Sequence, residues 1–174
     1  MVKNVFITGR PGCGKTTMII EIIKESNLNA GGFYTAEVRE GGKRKGFKII
    51  DLDGNEGILA HVGLKSPYKV GKYKVNIKDL EEIGVRSILN AINKGKMIII
   101  DEIGKMELFS ERFKRAVEEA INSKNVVLGT IKLAKDPFIE GIKNREDTIV
   151  FYLKEGKFNQ IKDQIIKVLQ QFLN

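Results

Sequence analysis

Residues 9–16 combine glycine, lysine and threonine at a spacing that suits the binding of a phosphate chain. The segment reads GRPGCGKT, with Gly9, Gly14, Lys15 and Thr16 in the order G-x-x-x-x-G-K-[ST]. Glycine lets the backbone curl until successive N–H groups point inward at an anion. The lysine can then reach the β- and γ-phosphates, and the threonine hydroxyl can bind Mg²⁺. The spacing therefore predicts a phosphate-binding loop of the Walker A type.

The sequence on either side of this loop favours a phosphate site over a solvated glycine turn. VFITG at 5–9 is short, apolar and β-branched, which is typical of a buried strand. TTMIIEIIKES at 16–26 has apolar residues at helical spacing, so the loop joins a strand to a helix. The positive end of the helix dipole adds to the attraction for an anion. We predict that a nucleotide contacts Gly9, Arg10, Pro11, Gly12, Cys13, Gly14, Lys15, Thr16 and Thr17.

Two carboxylates directly follow the apolar run MIII at 97–100. Asp101 ends this predicted strand, which is the usual position of the carboxylate that completes the Mg²⁺ site beside a phosphate loop. Glu102 can polarise a water for attack on the γ-phosphate, and its alternative is a solvated or helix-capping residue. We predict that Thr16 and Asp101 are metal ligands and that Lys15 and Glu102 are catalytic.

The sequence allows more than one role for several other polar residues. Lys105 either contacts the γ-phosphate or lies in solvent, and Thr130 either holds the attacking water or bonds the backbone. An internal arginine finger would stabilise charge on the transferred group. Its candidates are Arg39, Arg44, Arg112 and Arg145. NKGK at 93–96 lacks the aspartate of the guanine-reading Asn-Lys-x-Asp motif, which disfavours a signalling GTPase.

The remaining elements alternate between strands and helices, as in α/β proteins. Apolar runs predict further strands at 125–131 and 148–153, and helical spacing predicts helices at 77–95, 106–123, 138–144 and 158–173. A break near Gly84 is an alternative for the first of these helices. Strands at 31–40, 47–52 and 58–62, with a basic turn at 41–46 and an Asp-Gly turn at 53–57, predict an antiparallel meander. Residues 63–77 are predicted to be irregular. We expect one α/β domain over residues 1–174, with a mostly parallel sheet, helices on both faces and this meander as an insertion.

Five segments, in order over residues 1–150, resemble a known family. They read GRPGCGKTT, GFYTAEVRE, KGFKIIDLDG, IIIDEIGKMELFS and VVLGTI. The chain resembles the small nucleoside-triphosphatases described from thermophiles, whose animal relatives are called cancer-related nucleoside triphosphatases. The resemblance implies a RecA-like P-loop NTPase that hydrolyses ATP, GTP, CTP and UTP to NDP and phosphate with Mg²⁺. The Asn-Arg pair that the family often shows late in the chain is absent, because Gln160 follows Asn159.

Two other functions stay open. A nucleotide or polynucleotide kinase would use the same phosphate site with another acceptor, although no arginine-rich lid is visible. The net charge of +8 and pI of about 9.5 allow an NTP-switched nucleic-acid module. The lysines are scattered along the chain, as in heat-adapted proteins, so nucleic acid is the less favoured partner.

The composition also leads to an expectation about location. The chain has a single cysteine and no apolar run long enough to span a bilayer. We therefore expect a cytoplasmic monomer that acts on nucleoside triphosphates and does not associate with a membrane.

Overall fold

The parallel half of a mixed sheet carries the segments that the sequence marks for chemistry. The computed structural model describes residues 1–172, so the predicted ends of the last helix, 173, and of the domain, 174, lie outside the described residues. The strands are β1 Asn4–Thr8, β2 Ala30–Glu40, β3 Lys43–Asp51, β4 Glu56–His61, β5 Lys69–Val70, β6 Tyr73–Val75, β7 Met97–Ile103, β8 Val127–Ile131 and β9 Thr148–Tyr152. Their order across the sheet is β5-β6-β4-β3-β2-β7-β8-β1-β9. Strands β2, β7, β8, β1 and β9 are parallel, and the pairs from β2 to β5 are antiparallel.

Helices cover both faces of the parallel strands. The α-helices are α1 Lys15–Ser26, α2 Ile77–Asp79, α3 Arg86–Asn93, α4 Glu111–Asn122, α5 Pro137–Lys143 and α6 Phe158–Gln170. Val5 and Ile7 of β1 belong to an apolar cluster that includes side chains of α1 and α6. Phe6 points to the opposite face and shares its cluster with side chains of α3, α4 and α5. Because alternate residues of a buried strand face opposite layers, this packing confirms the predicted α/β class.

The predicted antiparallel meander is present, but the bounds of all three of its strands differ from the prediction. Strand β3 begins at Lys43, so the hairpin turn is limited to Gly41 and Gly42 rather than extending over 41–46. The two glycines have φ angles of 59° and 77°, and a two-residue hairpin turn of this kind needs positive φ at both positions. Strands β5 and β6 lie within 63–77, so the prediction of an irregular segment was wrong there.

The helical segment predicted for 77–95 contains a wide turn in place of a break. Residues Leu80–Val85 form a π-helix that joins α2 to α3 without interruption. Gly84 lies in this turn, and a Cβ added there would come within 3.0 Å of Ile49 Cδ1 on the sheet. The glycine thus allows the helix to approach the sheet closely, which explains its position better than a helix end does.

The helix predicted for 106–123 is divided in two. A 3₁₀ turn at Glu107–Phe109 comes first, and α4 starts after Ser110. Ser110 Oγ accepts a hydrogen bond of 3.0 Å from the N–H of Phe113, which makes it the N-cap of α4. Within residues 1–172, no helix combines the length and the apolar character that crossing a membrane requires.

Gly32 joins the parallel and antiparallel halves at a point of close backbone contact. It pairs with Ile99 of β7 and has a φ angle of 100°. A Cβ at this position would overlap the carbonyl oxygen of Ile99. We expect Gly32→Ala to lower the free energy of unfolding by about 3 kcal/mol or more, near the upper range for single substitutions. The measurement is urea unfolding.

Gly41→Ala is the matched control, because Gly41 also has positive φ but has no atom within 4 Å of an added Cβ. Its cost should be limited to the left-handed backbone, about 1–2 kcal/mol. Equal losses in the two variants would contradict a steric role for Gly32.

Candidate active site at the carboxyl edge of the parallel strands

The loop between β1 and α1 leaves a helix N-terminus without a side-chain cap. Gly14 is the N-cap of α1 and has the left-handed angles φ 101° and ψ 21°. No side chain among the described residues caps this end, so the first N–H groups of α1 are available to an anion. Gly9 packs tightly: a Cβ there would lie 2.8 Å from Cys13 Sγ and 3.0 Å from the Leu153 carbonyl oxygen. The close packing keeps the loop curled at the end of β1.

Lys15 lies across this loop and approaches the carboxylate strand. Its Nζ donates to the Gly9 carbonyl oxygen at 3.0 Å and stands 4.0 Å from Glu102 Oε2. Only 10% of the Lys15 side chain is exposed. The structure therefore brings the predicted lysine and glutamate together although they are far apart in the sequence.

Asp101 is the polar centre of the site. It is buried, and its Oδ2 accepts hydrogen bonds from Thr16 Oγ1 at 2.7 Å and from the Thr35 N–H at 3.3 Å. Its Oδ1 accepts from Thr130 Oγ1 at 2.6 Å. Burial raises the pKa of Asp101, and the three hydrogen bonds and the charge of Lys15 only partly offset that effect. Within residues 1–172 no cationic side chain forms an ion pair with this carboxylate.

Glu102 stands next to Asp101 at the point where β7 departs from its regular pairing with β8. The register shifts between Ile100 and Ile103, and the Asp101–Glu102 peptide bond is cis. The Glu102 side chain is 30% exposed, so it can contact a molecule in the cleft. Burial raises the pKa of Glu102, the charge of Lys15 opposes this, and the Asp101 charge adds to it.

Glu107 is a buried carboxylate that the sequence analysis did not single out. It lies in the 3₁₀ turn after β7, and its Oε1 accepts from the Gly104 N–H at 3.0 Å. Burial and the nearby charges of Glu102 and Asp101 raise its pKa to about 8. Glu107 is buried because the predicted helix is interrupted at Ser110, which places Glu107 in a separate 3₁₀ turn. Only Ser110 itself indicates this interruption in the sequence.

The site opens into a cleft with a volume of about 720 Å³. On one side the cleft is lined by the predicted loop residues Gly9, Pro11, Gly12, Gly14, Lys15, Thr16 and Thr17. Asp101, Glu102 and Glu107 also line it. Among the predicted contact residues, Arg10 and Cys13 do not line this cleft. The Cys13 side chain instead packs against the apolar cluster that includes Val5 and Ile7.

The structure distinguishes among the residues that sequence left open. The Thr130 hydroxyl donates to Asp101 Oδ1, a carboxylate partner that neither of the two interpretations included. Lys105 lines the cleft, which favours a ligand contact over simple solvation. Of the four candidate arginines, Arg44 lines the cleft, whereas Arg145 pairs with Asp147 at the opposite end of β9. Arg39 and Arg112 are exposed and lie outside the cleft lining.

The titration of Glu107 makes a prediction about stability. Its pKa of about 8 in the folded protein lies above the usual 4.5, so the folded state holds the proton more tightly than the unfolded chain. The stabilisation that Glu107 contributes through its tightly held proton is fully present below pH 4.5. It is lost as the pH rises to about 8. Glu107→Gln cannot ionise. Its free energy of unfolding relative to wild type should therefore rise across this window, by at most about 1.4 kcal/mol per pH unit.

The measurement is urea unfolding at several pH values in that window. Glu111→Gln is the control, because that side chain is 75% exposed. Its difference from wild type should stay nearly constant with pH. A constant difference for Glu107→Gln as well would show that Glu107 is not held in its protonated form.

Comparison with known proteins identifies relatives over nearly the whole chain. A family model described as NTPase matches residues 4–166. The nucleoside-triphosphatase THEP1 of Thermotoga sp. (strain RQ2) is 57% identical over 167 residues, which cover 96% of this chain and 95% of that protein. The human cancer-related nucleoside-triphosphatase is 39% identical over 186 residues, with 98% of each chain covered.

Solved structures agree with these sequence matches. The crystal structure of THEP1 from Aquifex aeolicus superimposes with a TM-score of 0.87 at 34% identity, covering 95% of this chain and 98% of that chain. The solution structure of the human cancer-related nucleoside triphosphatase gives a TM-score of 0.84 at 38% identity, with 98% of each chain covered. The family model, the curated relatives and the shared α/β fold together establish that this chain belongs to the NTPase family of nucleoside-triphosphatases.

Proposed function

We propose that this protein hydrolyses nucleoside triphosphates to nucleoside diphosphate and phosphate, with Mg²⁺ bound and with water as the phosphoryl acceptor. The observation that carries the proposal is the meeting of the two predicted halves of the site. Lys15 Nζ lies 4.0 Å from Glu102 Oε2, and Thr16 Oγ1 donates to Asp101 Oδ2 at 2.7 Å. The relatives are named as nucleoside-triphosphatases, which supports the same activity.

The loop binds the triphosphate through groups that every nucleoside triphosphate offers. The uncapped N–H groups at the start of α1 hold the phosphate oxygens, and the Lys15 ammonium contacts the β- and γ-phosphates. These contacts are made to the phosphates and not to the base. We therefore propose broad base tolerance, with ATP, GTP, CTP and UTP all used. The relatives' names support this reading, because they specify no base.

Thr16 and Asp101 would hold the Mg²⁺. Two neighbouring oxygen atoms, one from a buried carboxylate, suit this hard cation. Within residues 1–172 no group of three His, Cys, Asp or Glu side chains could hold a metal by itself. That agrees with a Mg²⁺ that takes its other ligands from substrate phosphates and water. When bound, Mg²⁺ supplies charge neutralisation for the transferring phosphoryl group.

Glu102 prepares the water. Its carboxylate accepts a proton from the water whose oxygen attacks the γ-phosphorus, while the bond from that phosphorus to the β,γ-bridging oxygen breaks. The nucleoside diphosphate leaves, and the proton passes from Glu102 to solvent. Lys15 lies beside Glu102, so its ammonium is placed to stabilise negative charge on the phosphoryl oxygens during transfer.

Removing the Thr16 hydroxyl should weaken the binding of Mg²⁺ to a measurable extent. We expect Thr16→Ala to raise the Mg²⁺ concentration for half-maximal phosphate release by about 10-fold or more, because a metal ligand is lost. The measurement is a Mg²⁺ titration of phosphate release at saturating NTP. Thr17→Ala is the matched control, since Thr17 lines the cleft without a hydrogen bond to Asp101 among the described residues. The same shift in both variants would argue against Thr16 as a metal ligand.

Replacing Glu102 should separate chemistry from binding. Glu102→Gln keeps the size of the side chain but removes the charge that polarises water. We expect the single-turnover hydrolysis rate to fall by about 10²–10⁴-fold, the usual share of general base catalysis. The Mg-NTP dissociation constant should change little, because Lys15, Thr16 and the loop N–H groups remain. Both quantities are measured on the same protein preparation.

Glu118→Gln, an exposed substitution on α4, controls for the loss of one carboxylate and should match wild type in both quantities. A Glu102→Gln protein that hydrolyses NTP near the wild-type rate would remove Glu102 from the reaction. The proton would then have to go to the γ-phosphate itself.

A further inference from the structure

The segment that follows Glu102 is tied to the next turn of the chain through Gly104. Strand β7 ends one residue before this glycine, which is buried. Its carbonyl oxygen accepts a hydrogen bond of 3.0 Å from the Leu108 N–H, and its own N–H donates to Glu107 Oε1 at 3.0 Å. Both backbone groups of Gly104 are therefore bonded to the 3₁₀ turn at Glu107–Phe109, and that turn sets the position of the glycine.

The Glu102 side chain lies against Gly104. A Cβ built on this glycine would be 3.0 Å from Glu102 Oε1 and 3.1 Å from Glu107 Oε1, so both carboxyl groups approach the same side of Gly104. The other oxygen of Glu102, Oε2, lies 4.0 Å from Lys15 Nζ. One oxygen of the Glu102 carboxylate thus faces Lys15, and the other lies over the glycine that Glu107 holds.

Glu107 supplies the acceptor that the Gly104 N–H needs in the interior. Glu107 is itself only 3% exposed, so its carboxyl group has little freedom to move. A buried N–H that loses its acceptor is costly, and the backbone shifts to find another one. Because Glu102 lies against Gly104, such a shift would also displace the Glu102 carboxylate.

Glu107 can hold the turn without adding negative charge beside Glu102. Its pKa of about 8 keeps the carboxyl group protonated at neutral pH. The carbonyl oxygen of a protonated carboxyl group still accepts a hydrogen bond. Glutamine is therefore a neutral replacement that keeps the acceptor, whereas leucine has a similar size and offers none.

We infer that Glu107 is a positioning residue for NTP hydrolysis, which fixes the Glu102 carboxylate through the backbone of Gly104. The inference rests on the proposed function, in which Glu102 accepts the proton of the attacking water. Glu107 itself gives and takes no proton in this step. The rate is sensitive to such positioning, since a misplacement of about 1 Å in an active site can cost about 10²-fold.

The first test compares Glu107→Leu with Glu107→Gln at pH 7. We expect Glu107→Leu to lower the single-turnover rate of hydrolysis by about 10–100-fold, the usual cost of losing a residue that orients an active-site group. Its dissociation constant for Mg²⁺ and a non-hydrolysable NTP should change little, because Lys15, Thr16 and the loop N–H groups remain. Glu107→Gln should keep most of the rate, because its amide oxygen can accept from the Gly104 N–H.

Gly104→Ala tests the same contact while Glu107 stays in place, so it does not depend on how well Glu107→Leu folds. The φ angle of Gly104 is not positive, so alanine suits the backbone and acts through its added Cβ. We expect a fall of about 10-fold in the single-turnover rate, from displacement of the Glu102 carboxylate. Gly141→Ala on α5 is the matched control, because no atom lies within 4 Å of an added Cβ there. It should match wild type.

The decisive test places Glu107→Leu in the Glu102→Gln background. If Glu107 acts through Glu102, the residual rate of Glu102→Gln should not fall further, because the group that Glu107 positions has already lost its function. A purely structural role would lower the rate by the same factor in both backgrounds. That result would overturn the inference.

Two other results would also overturn it. They are a Glu107→Leu protein that hydrolyses NTP at the wild-type rate, and a Glu107→Gln protein that is impaired as severely as Glu107→Leu. A wild-type protein that releases no phosphate from NTP would contradict the proposed function and this inference together. An active wild type whose rate survives both Glu107→Leu and Gly104→Ala contradicts the inference alone, so the two failures are distinguishable.

Discussion

The buried carboxylate of Asp101 is the interaction on which the site depends. It accepts hydrogen bonds from Thr16 at the start of α1, from Thr130 in β8 and from the backbone of Thr35 in β2. Three separate elements are therefore tied to β7 at the edge of the sheet. Taking a carboxylate out of water is costly unless its oxygens are satisfied, so these elements are constrained to meet around it. The loop between β1 and α1, the Glu102 side chain and the cleft all take their positions from this arrangement.

The parallel and antiparallel halves of the sheet contribute different parts of the cleft around Asp101. The parallel strands end at one edge, where the loop after β1 and the carboxylates of β7 face the same cleft. This is the general location of ligand sites in open α/β sheets. The antiparallel strands extend the sheet beyond β2 and carry Arg44 and Tyr73 to the opposite wall. Gly32 makes the junction, because its close contact with Ile99 lets β2 pair with β7 and with β3.

Many residues of the candidate site could be predicted from the sequence because they lie in short contiguous motifs. One segment holds the loop glycines with Lys15 and Thr16. A second holds the apolar run that ends at Asp101, and each segment is only a few residues long. Glu107 was missed because its burial depends on where the following helix begins. Arg44 is the one of the four candidate arginines that lines the cleft. Its position there depends on which strands pair, and local patterns do not determine long-range pairing. The width of the 41–46 turn was overestimated because lysine and arginine were interpreted as turn residues, when the two glycines suffice.

The central claim is that the loop and the β7 carboxylates form one Mg²⁺-dependent site for the hydrolysis of nucleoside triphosphates. The most direct measurement is phosphate release from ATP, GTP, CTP and UTP, with Mg²⁺ and with a chelator, by wild type, Lys15→Ala and the exposed control Lys24→Ala. The account predicts Mg²⁺-dependent release from all four substrates by wild type and Lys24→Ala. It also predicts a loss of affinity of about 10–100-fold in Lys15→Ala, the worth of a hydrogen bond to a charged group. Undiminished release by Lys15→Ala, or release by wild type in the chelator, would contradict it.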